Sequence, residues 1–210
     1  MKRHLTSLGL GAIIVFFLLP GWCLARGSVP HGIAGFVLGR NIAEYEDRVR
    51  METSLPIRYM EYIREVQIRP QVGFKSGIIA YGTCAEQGRI IRIKLKYADS
   101  SKGFYKKLLK LFEERFGEPS EWRGDPFHVV IAWKWSFVDE ENNRISLILQ
   151  HNTKDVEEKI GNSVKISMTN LLEEELNCYR KKHPEYKKPV KGRQGSMKWR
   201  KEDMERFIPR

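Results

Sequence analysis

The chain has 210 residues, of which 41% are hydrophobic and 30% charged, and its formal net charge is +11. These values are typical of a folded protein and exclude a wholly disordered chain. No repeat with a period of roughly 20–50 residues is visible, which argues against a solenoid.

The positive charge is concentrated at the C-terminus. Residues 1–25 carry +2, residues 26–179 carry 23 basic and 22 acidic side chains, and residues 180–210 carry 12 basic and 4 acidic ones. The body is therefore nearly neutral, whereas the last segment has a net charge of +8. A balanced body gives little support to a nucleic-acid-binding fold, so no nucleic-acid partner is expected.

The N-terminus has the pattern of a secretory signal peptide. Lys2 and Arg3 precede an apolar run over residues 8–19, and Ala25 supplies a small residue before a predicted cut at Arg26. The run is shorter than the roughly 20 apolar residues of a membrane span, although an uncleaved anchor stays an alternative. We therefore expect export to the periplasm or the outside of the cell.

Two cysteines, Cys84 and Cys178, remain once residues 1–25 are removed. Exported chains meet oxidising conditions, and two cysteines allow only one pairing. We predict a disulfide between them, with two unpaired buried thiols as the alternative. The wide spacing excludes a CxxC redox centre and a zinc knuckle.

The first half of the mature chain begins with a glycine-rich lead-in over residues 26–35. Asn41 and Glu44 then form an N-x-x-E pattern, which predicts a short capped helix ending before Pro56. Residues 57–68 are interpreted as a strand. Residues 73–97 are predicted to form a hairpin, because apolar and charged side chains alternate along its second half.

A helix is predicted after Ser100 or Ser101, with an apolar stripe that runs from Phe104 to Phe116 and a stop at Gly117. A second hairpin should follow, turning at residues 139–143. In its first strand six apolar residues are expected to share one face, and they are Phe127, Val129, Ile131, Trp133, Trp135 and Phe137.

The end of the body is predicted to add a helical turn, a strand and a last helix. Residues 153–161 are polar and suit the turn, whereas Val164, Ile166 and Met168 alternate as a strand. Asn170 with Glu173 repeats the N-x-x-E cap before the helix, and carboxylates in its first turn favour the helix dipole.

These elements predict a single α+β domain over residues 36–182, in which an antiparallel sheet built from hairpins is packed on one face by helices. Residues 183–210 are predicted to be a basic, solvated tail. A body of this size can bury a sufficient core, so it needs no metal to fold.

Two segments, residues 35–42 and 112–119, resemble a pattern of small exported bacterial α+β modules. These are the β-lactamase-inhibitor-protein-like domains and related outer-membrane assembly lipoproteins. The resemblance implies an extracytoplasmic scaffold that binds other proteins. The chain departs from the lipoprotein members because Trp22 stands before Cys23, where their signals have a small residue.

Catalytic signatures are missing from the sequence. It contains no H-E-x-x-H, G-x-S-x-G, P-loop or G-x-G-x-x-G pattern after residue 25. Alternation predicts that His128 and His151 point to opposite sides of the sheet, so they cannot share a metal ion. No catalytic residue, metal ligand or cofactor is therefore assigned.

Three groups of residues are candidates for binding. The first is a ligand pocket on a loop, formed by Trp122, Arg123, Asp125 and His128. The alternative is that Arg123 and Asp125 pair with each other and order a turn. The second is a basic ladder on one strand, formed by Arg92, Lys94 and Lys96, which is either an anion-binding surface or simply solvated. The third lies in the tail and comprises Lys198, Trp199, Arg200, Lys201 and Phe207.

The sequence therefore predicts an exported, non-enzymatic binding module of the cell envelope. Its partner is expected to be an envelope protein or an anionic membrane or polymer surface, and its basic tail is expected to attach it there. The alternative is an exported hydrolase-like enzyme that uses the loop pocket. The sequence does not indicate an oligomeric state.

Overall fold

A computed structural model describes residues 28–152 and 161–186. Its ten strands are β1 (Gly32–Ile33), β2 (Phe36–Val37), β3 (Val49–Ile57), β4 (Met60–Ile68), β5 (Phe74–Gly82), β6 (Ile90–Tyr97), β7 (Glu121–Trp122), β8 (Val130–Val138), β9 (Arg144–Asn152) and β10 (Asn162–Met168). Its two helices are α1 (Lys102–Phe116) and α2 (Thr169–Lys182), and a short 3-10 helix covers Ile42–Tyr45.

Eight strands form one antiparallel sheet in the order β3-β4-β5-β6-β10-β9-β8-β7. The chain builds it as two four-strand meanders, each followed by a helix, and the last strands of the two meanders, β6 and β10, pair at the centre. The predicted α+β class with a hairpin-built antiparallel sheet is thus confirmed at the level of the sheet and its two helices.

Alternation divides the side chains of the central strands into two sets. One set is apolar and supplies much of the core, including Ile93, Leu95, Leu149, Val164 and Ile166. The other set is polar or charged and includes Arg92, Lys94 and Lys165. We call the two sides of the sheet the apolar face and the polar face.

Helix α1 begins and ends where its sequence predicts. The Ser101 side chain accepts a hydrogen bond from the Phe104 backbone N–H at 3.2 Å, and Gly117 ends the helix with a φ of 79°, a left-handed conformation that favours glycine. Rings on the helix contact rings of β8, with centroids 5.7 Å apart for Phe112 and Trp135.

Several boundaries differ from the predictions. The Asn41–Glu44 capping box is present, but the helix that it starts ends at Tyr45, and the second half of the predicted helix is strand β3. Asn170 does not cap α2, because β10 leads directly into the helix at Thr169.

Further differences concern the second hairpin and the lead-in. Strand β8 begins only at Val130, so Phe127 lies in the preceding turn and is 86% exposed rather than on the shared apolar face. The lead-in supplies β1, which pairs with β2 in a small hairpin, and Phe36 of β2 is completely buried. The turn predicted over residues 153–161 lies outside the described residues except for Gly161.

Candidate functional site

The predicted basic ladder lies at the centre of the polar face. Arg92, Lys94 and Lys96 alternate with buried residues of β6, so all three point away from the apolar core. Strand order, which the sequence did not reveal, places β10 beside them. Lys165 of β10 stands directly opposite Lys94, and Ser163 stands opposite Lys96.

The basic side chains continue across the sheet in a single row. Lys165 also pairs with Ile148 of β9, Ile148 pairs with Lys134 of β8, and Lys134 pairs with Glu121 of β7. Four neighbouring strands therefore place Lys94, Lys165, Ile148 and Lys134 side by side. Like charges that face each other across a strand pair destabilise a sheet, so the Lys94–Lys165 pair has an energetic cost.

A shallow concavity of about 390 Å³ opens beside Lys165 on the polar face. Its lining contains three basic side chains, two uncharged polar ones and two apolar ones, namely Arg123, Lys134, Lys165, Ser146, Gln150, Ala132 and Ile148. We call this depression the Lys165 concavity. It joins Arg123, predicted as part of the loop pocket, to the surface that also carries the basic ladder.

Two carboxylates partly balance the charge around the concavity. Glu121 accepts from Arg123 at 2.9 Å and from Lys134 at 3.1 Å, and Glu65 accepts from Arg92 at 2.7 Å. The hydrogen bond from Lys134 is the main cause of the lowered pKa of Glu121, so this carboxylate stays charged.

Lys165 lies half-buried among other cations on this face. Burial lowers the pKa of its ammonium group below the ordinary value, and four surrounding cations lower it further: Arg92, Lys94, Arg123 and Lys134. A lysine that is partly desolvated among other cations is poised to gain from a bound anion, because the anion would offset both effects.

The four residues of the predicted loop pocket serve different contacts. Asp125 closes its own loop, because its carboxylate accepts backbone hydrogen bonds from Phe127 at 2.8 Å and from Val130. The Val130 bond is the largest cause of the lowered pKa of Asp125, whereas a general acid needs a raised one. Arg123 pairs with Glu121 instead of Asp125.

Trp122 and His128 do lie together, with ring centroids 5.4 Å apart. His128 has a φ of 54° in the turn before β8, so it is a loop residue rather than a strand residue. The enzymatic alternative that used these side chains stays a prediction.

His151 belongs to a buried polar network within the apolar face. Its Nδ1 lies 2.7 Å from Oδ1 of Asn162, whose amide group donates to the backbone oxygens of Asp99 at 2.8 Å and Ser101 at 2.9 Å. Because those two bonds use the amide nitrogen, Oδ1 must accept, and Nδ1 of His151 carries the proton. The histidine stacks on Tyr105 and has a structural role.

One group of His, Asp and Glu side chains within the described residues has metal-ligand spacing. It comprises His31, Asp139 and Glu141, whose ligand atoms all lie within 4.8 Å of one another. Asp139, however, already accepts from the Asn143 backbone at 2.7 Å and from its amide at 2.9 Å, which closes the β8–β9 turn. The arrangement is explained by the turn, and we assign no ion to it.

The predicted disulfide is confirmed. Cys84, in the loop after β5, and Cys178, in α2, are bonded, with their Cα atoms 5.8 Å apart. The bridge joins positions 94 residues apart in the sequence and attaches the last helix to the middle of the sheet.

A buried carboxylate beside the disulfide was not predicted. Glu175 is 0% exposed, and its oxygens accept from the backbone N–H groups of four consecutive residues at 2.7–3.1 Å: Thr83, Cys84, Ala85 and Glu86. Glu173, Glu174 and Glu175 were predicted to lie in the first turn of the helix, but α2 begins at Thr169 and its first turn contains no acidic residue. Only the loop geometry reveals the role of Glu175. Gly82 leaves room for it, because a Cβ there would lie 2.2 Å from Oε1.

The remaining predicted sites lie outside the described residues. These are the signal segment and the five tail residues Lys198, Trp199, Arg200, Lys201 and Phe207. Within residues 28–152 and 161–186, neither helix is long and apolar enough to cross a membrane. Comparisons with protein-family models, with curated proteins and with solved structures find no match for this chain.

Proposed function

We propose that this chain is an exported, non-enzymatic binding module that attaches to an anionic component of the cell envelope. The polar face of the sheet is the binding surface of the folded body, and the basic tail strengthens the attachment. The observation that carries the proposal is the Lys94–Lys165 pair, two like charges held opposite each other at the centre of a sheet. Such local conflicts with stability are expected at functional sites.

The location of the helices supports this assignment of the faces. Ring contacts join α1 to the apolar face, at Tyr105 with His151 and at Phe116 with Phe137, with centroids 5.2 and 5.8 Å apart. Glu175 and Cys178 bring α2 to the β5–β6 loop. Because α1 packs against the apolar face, that helix leaves the polar face around Lys94 and Lys165 free for a partner.

The sequence and the disulfide support export. A basic start, an apolar run and a small residue at position 25 suit a cleaved signal, and disulfides persist in oxidising compartments such as the periplasm. In that setting the anionic surfaces include membrane phospholipids. Each Lys or Arg near such a surface contributes about 1 kcal/mol, so a tail with a net charge of +8 adds substantially to binding.

The test is sedimentation of the mature chain with vesicles that contain anionic phospholipid, at several salt concentrations. The structure guides the truncation: Tyr186 donates a hydrogen bond to the Tyr59 backbone at 3.0 Å, so the tail should be cut after residue 186. We expect the cut to weaken binding, and we expect Lys94→Glu with Lys96→Glu to weaken what remains.

The matched control reverses two exposed lysines of α1, the helix that packs against the apolar face, in the variant Lys106→Glu with Lys110→Glu. This control should bind more tightly than the polar-face variant. If the truncation and the polar-face variant both bind vesicles and isolated envelope fractions as well as the mature chain does, the proposal fails.

A further inference from the structure

We infer that the Lys165 concavity is a binding site for a phosphate ester group. This inference deepens the proposed function and rests on it, because it names the chemistry that the polar face recognises. It depends on the convergence of three basic side chains, Arg123, Lys134 and Lys165, on one depression that is also lined by a hydroxyl and an amide.

The number and type of donors favour a phosphate over a carboxylate. A phosphate monoester carries a charge of roughly −1.5 to −2 and three acceptor oxygens, so it can engage several cations and hydroxyl groups together. A carboxylate offers two oxygens and a single charge. Arg123, Lys134, Lys165, Ser146 and Gln150 supply more donors and more positive charge than a carboxylate can satisfy.

The local charges support a site with an anion bound. Glu121 is shared between Arg123 and Lys134, so one carboxylate serves two cations and fixes both in place. No carboxylate partner of Lys165 is found among the described residues, and Lys94 stands opposite it. A bound phosphate would relieve the repulsion between these two lysines.

The floor of the concavity suits the organic part of an ester. Ile148 lies between Lys165 and Lys134 in the row across the sheet, and Ala132 lies beside it in the lining. These apolar side chains give a surface for a glycerol or sugar carbon skeleton, whereas free inorganic phosphate would not use them. An ester should therefore bind more tightly than the inorganic ion.

The experiment measures phosphate binding by NMR, following the backbone amides of Ser146, Gln150 and Lys165 in the mature chain cut after residue 186. Inorganic phosphate and glycerol phosphate are the probes, with sulfate and acetate at matched ionic strength. We expect saturable binding in the order glycerol phosphate, inorganic phosphate, sulfate, acetate. Lys165→Gln should weaken phosphate binding roughly 10-fold or more, as the loss of a charge-assisted hydrogen bond does.

Two further variants show whether weaker binding results from the loss of Lys165 itself or from a general effect of substitution on the fold. Lys106→Gln removes an exposed lysine of α1 and should bind phosphate like the parent chain. Ser146→Ala removes one hydroxyl and should weaken binding by a few-fold. Equal binding in Lys165→Gln and Lys106→Gln, with both folded, would overturn the inference, as would acetate binding as tight as phosphate.

Vesicles distinguish the two sources of the phosphate. If vesicles of phosphatidic acid compete with glycerol phosphate for the site, the ligand is a lipid headgroup; if they do not compete, the ester belongs to a soluble or polymeric molecule. Both outcomes support the inference. If no phosphate binds but salt-dependent vesicle binding through the tail and the ladder persists, the inference fails and the proposed function survives.

Discussion

Glu175 shows at the scale of one residue how the last helix is attached to the sheet. A buried carboxylate has a high desolvation cost, which the four backbone N–H groups of the loop offset. The carboxylate depends on these four bonds, because Glu175 is 0% exposed and its charge would otherwise be buried without donors. One side chain thereby fixes both the loop and the helix.

Replacing Glu175 should therefore be costly. In Glu175→Gln the charge is lost and the new amide group points its N–H bonds at backbone donors, so we expect a loss of about 3 kcal/mol in the free energy of unfolding. Urea denaturation of the oxidised protein measures it. Glu174→Gln is the control: its exposed carboxylate pairs with Arg89, and its loss should cost under about 1 kcal/mol. Equal costs for the two variants would contradict the role given to Glu175.

At the scale of elements, the disulfide and Glu175 act on the same pair of segments. Cys178 lies one helical turn after Glu175, and both reach the loop between β5 and β6. The covalent bond and the hydrogen bonds differ in how they stabilise. The disulfide restricts the unfolded chain, whereas the carboxylate satisfies groups in the folded one.

We expect reduction of the Cys84–Cys178 bond to lower the free energy of unfolding by about 4 kcal/mol, because the closed loop is long. Denaturation with and without a reductant measures this difference. The double variant Cys84→Ser, Cys178→Ser should match the reduced protein and show no response to the reductant. An oxidised protein no more stable than the double variant would contradict the prediction.

At the scale of the whole molecule, the sequence predicts local structure better than it predicts neighbours. Periodicity located β6, β9, β10 and α1, because each has an alternating or helical pattern and a recognisable end. It did not locate β3, whose pattern is irregular and whose pairing with β4 shifts register. Local patterns carry no information on which strands pair across the sheet.

Prediction of the candidate site was limited in the same way, because the sequence does not show which strands are neighbours. The ladder on β6 was recognisable from alternation, and Arg123 was recognisable as a loop cation, but the two belonged to separate hypotheses. Lys165 and Lys134 were missed because only the pairing of β6 with β10 and of β8 with β9 brings them alongside. The site exists because the two meanders meet at the sheet centre, which is a property of the topology.

The half-buried position of Lys165 makes the stability of the protein depend on pH. The pKa of Lys165 is lowered in the folded protein, whereas in the unfolded chain it has the usual lysine value of about 10.5. Between these two pKa values the unfolded chain therefore binds more protons than the folded protein does. Stability should therefore rise with pH from the lowered pKa towards that of the unfolded chain. At neutral pH the charged lysine is a destabilising group.

Lys165→Met removes the charge and leaves an unbranched side chain of similar length. This variant should therefore raise the free energy of unfolding at pH 7 by about 0.5 kcal/mol, a typical cross-strand contribution. The gain should disappear when saturating glycerol phosphate is added, because the ligand stabilises only the parent chain. The urea midpoint, measured with and without the ester, checks both effects. A variant less stable than the parent would show that Lys165 supports the fold. A more stable variant that no longer binds phosphate would show that Lys165 serves ligand binding at a cost in stability.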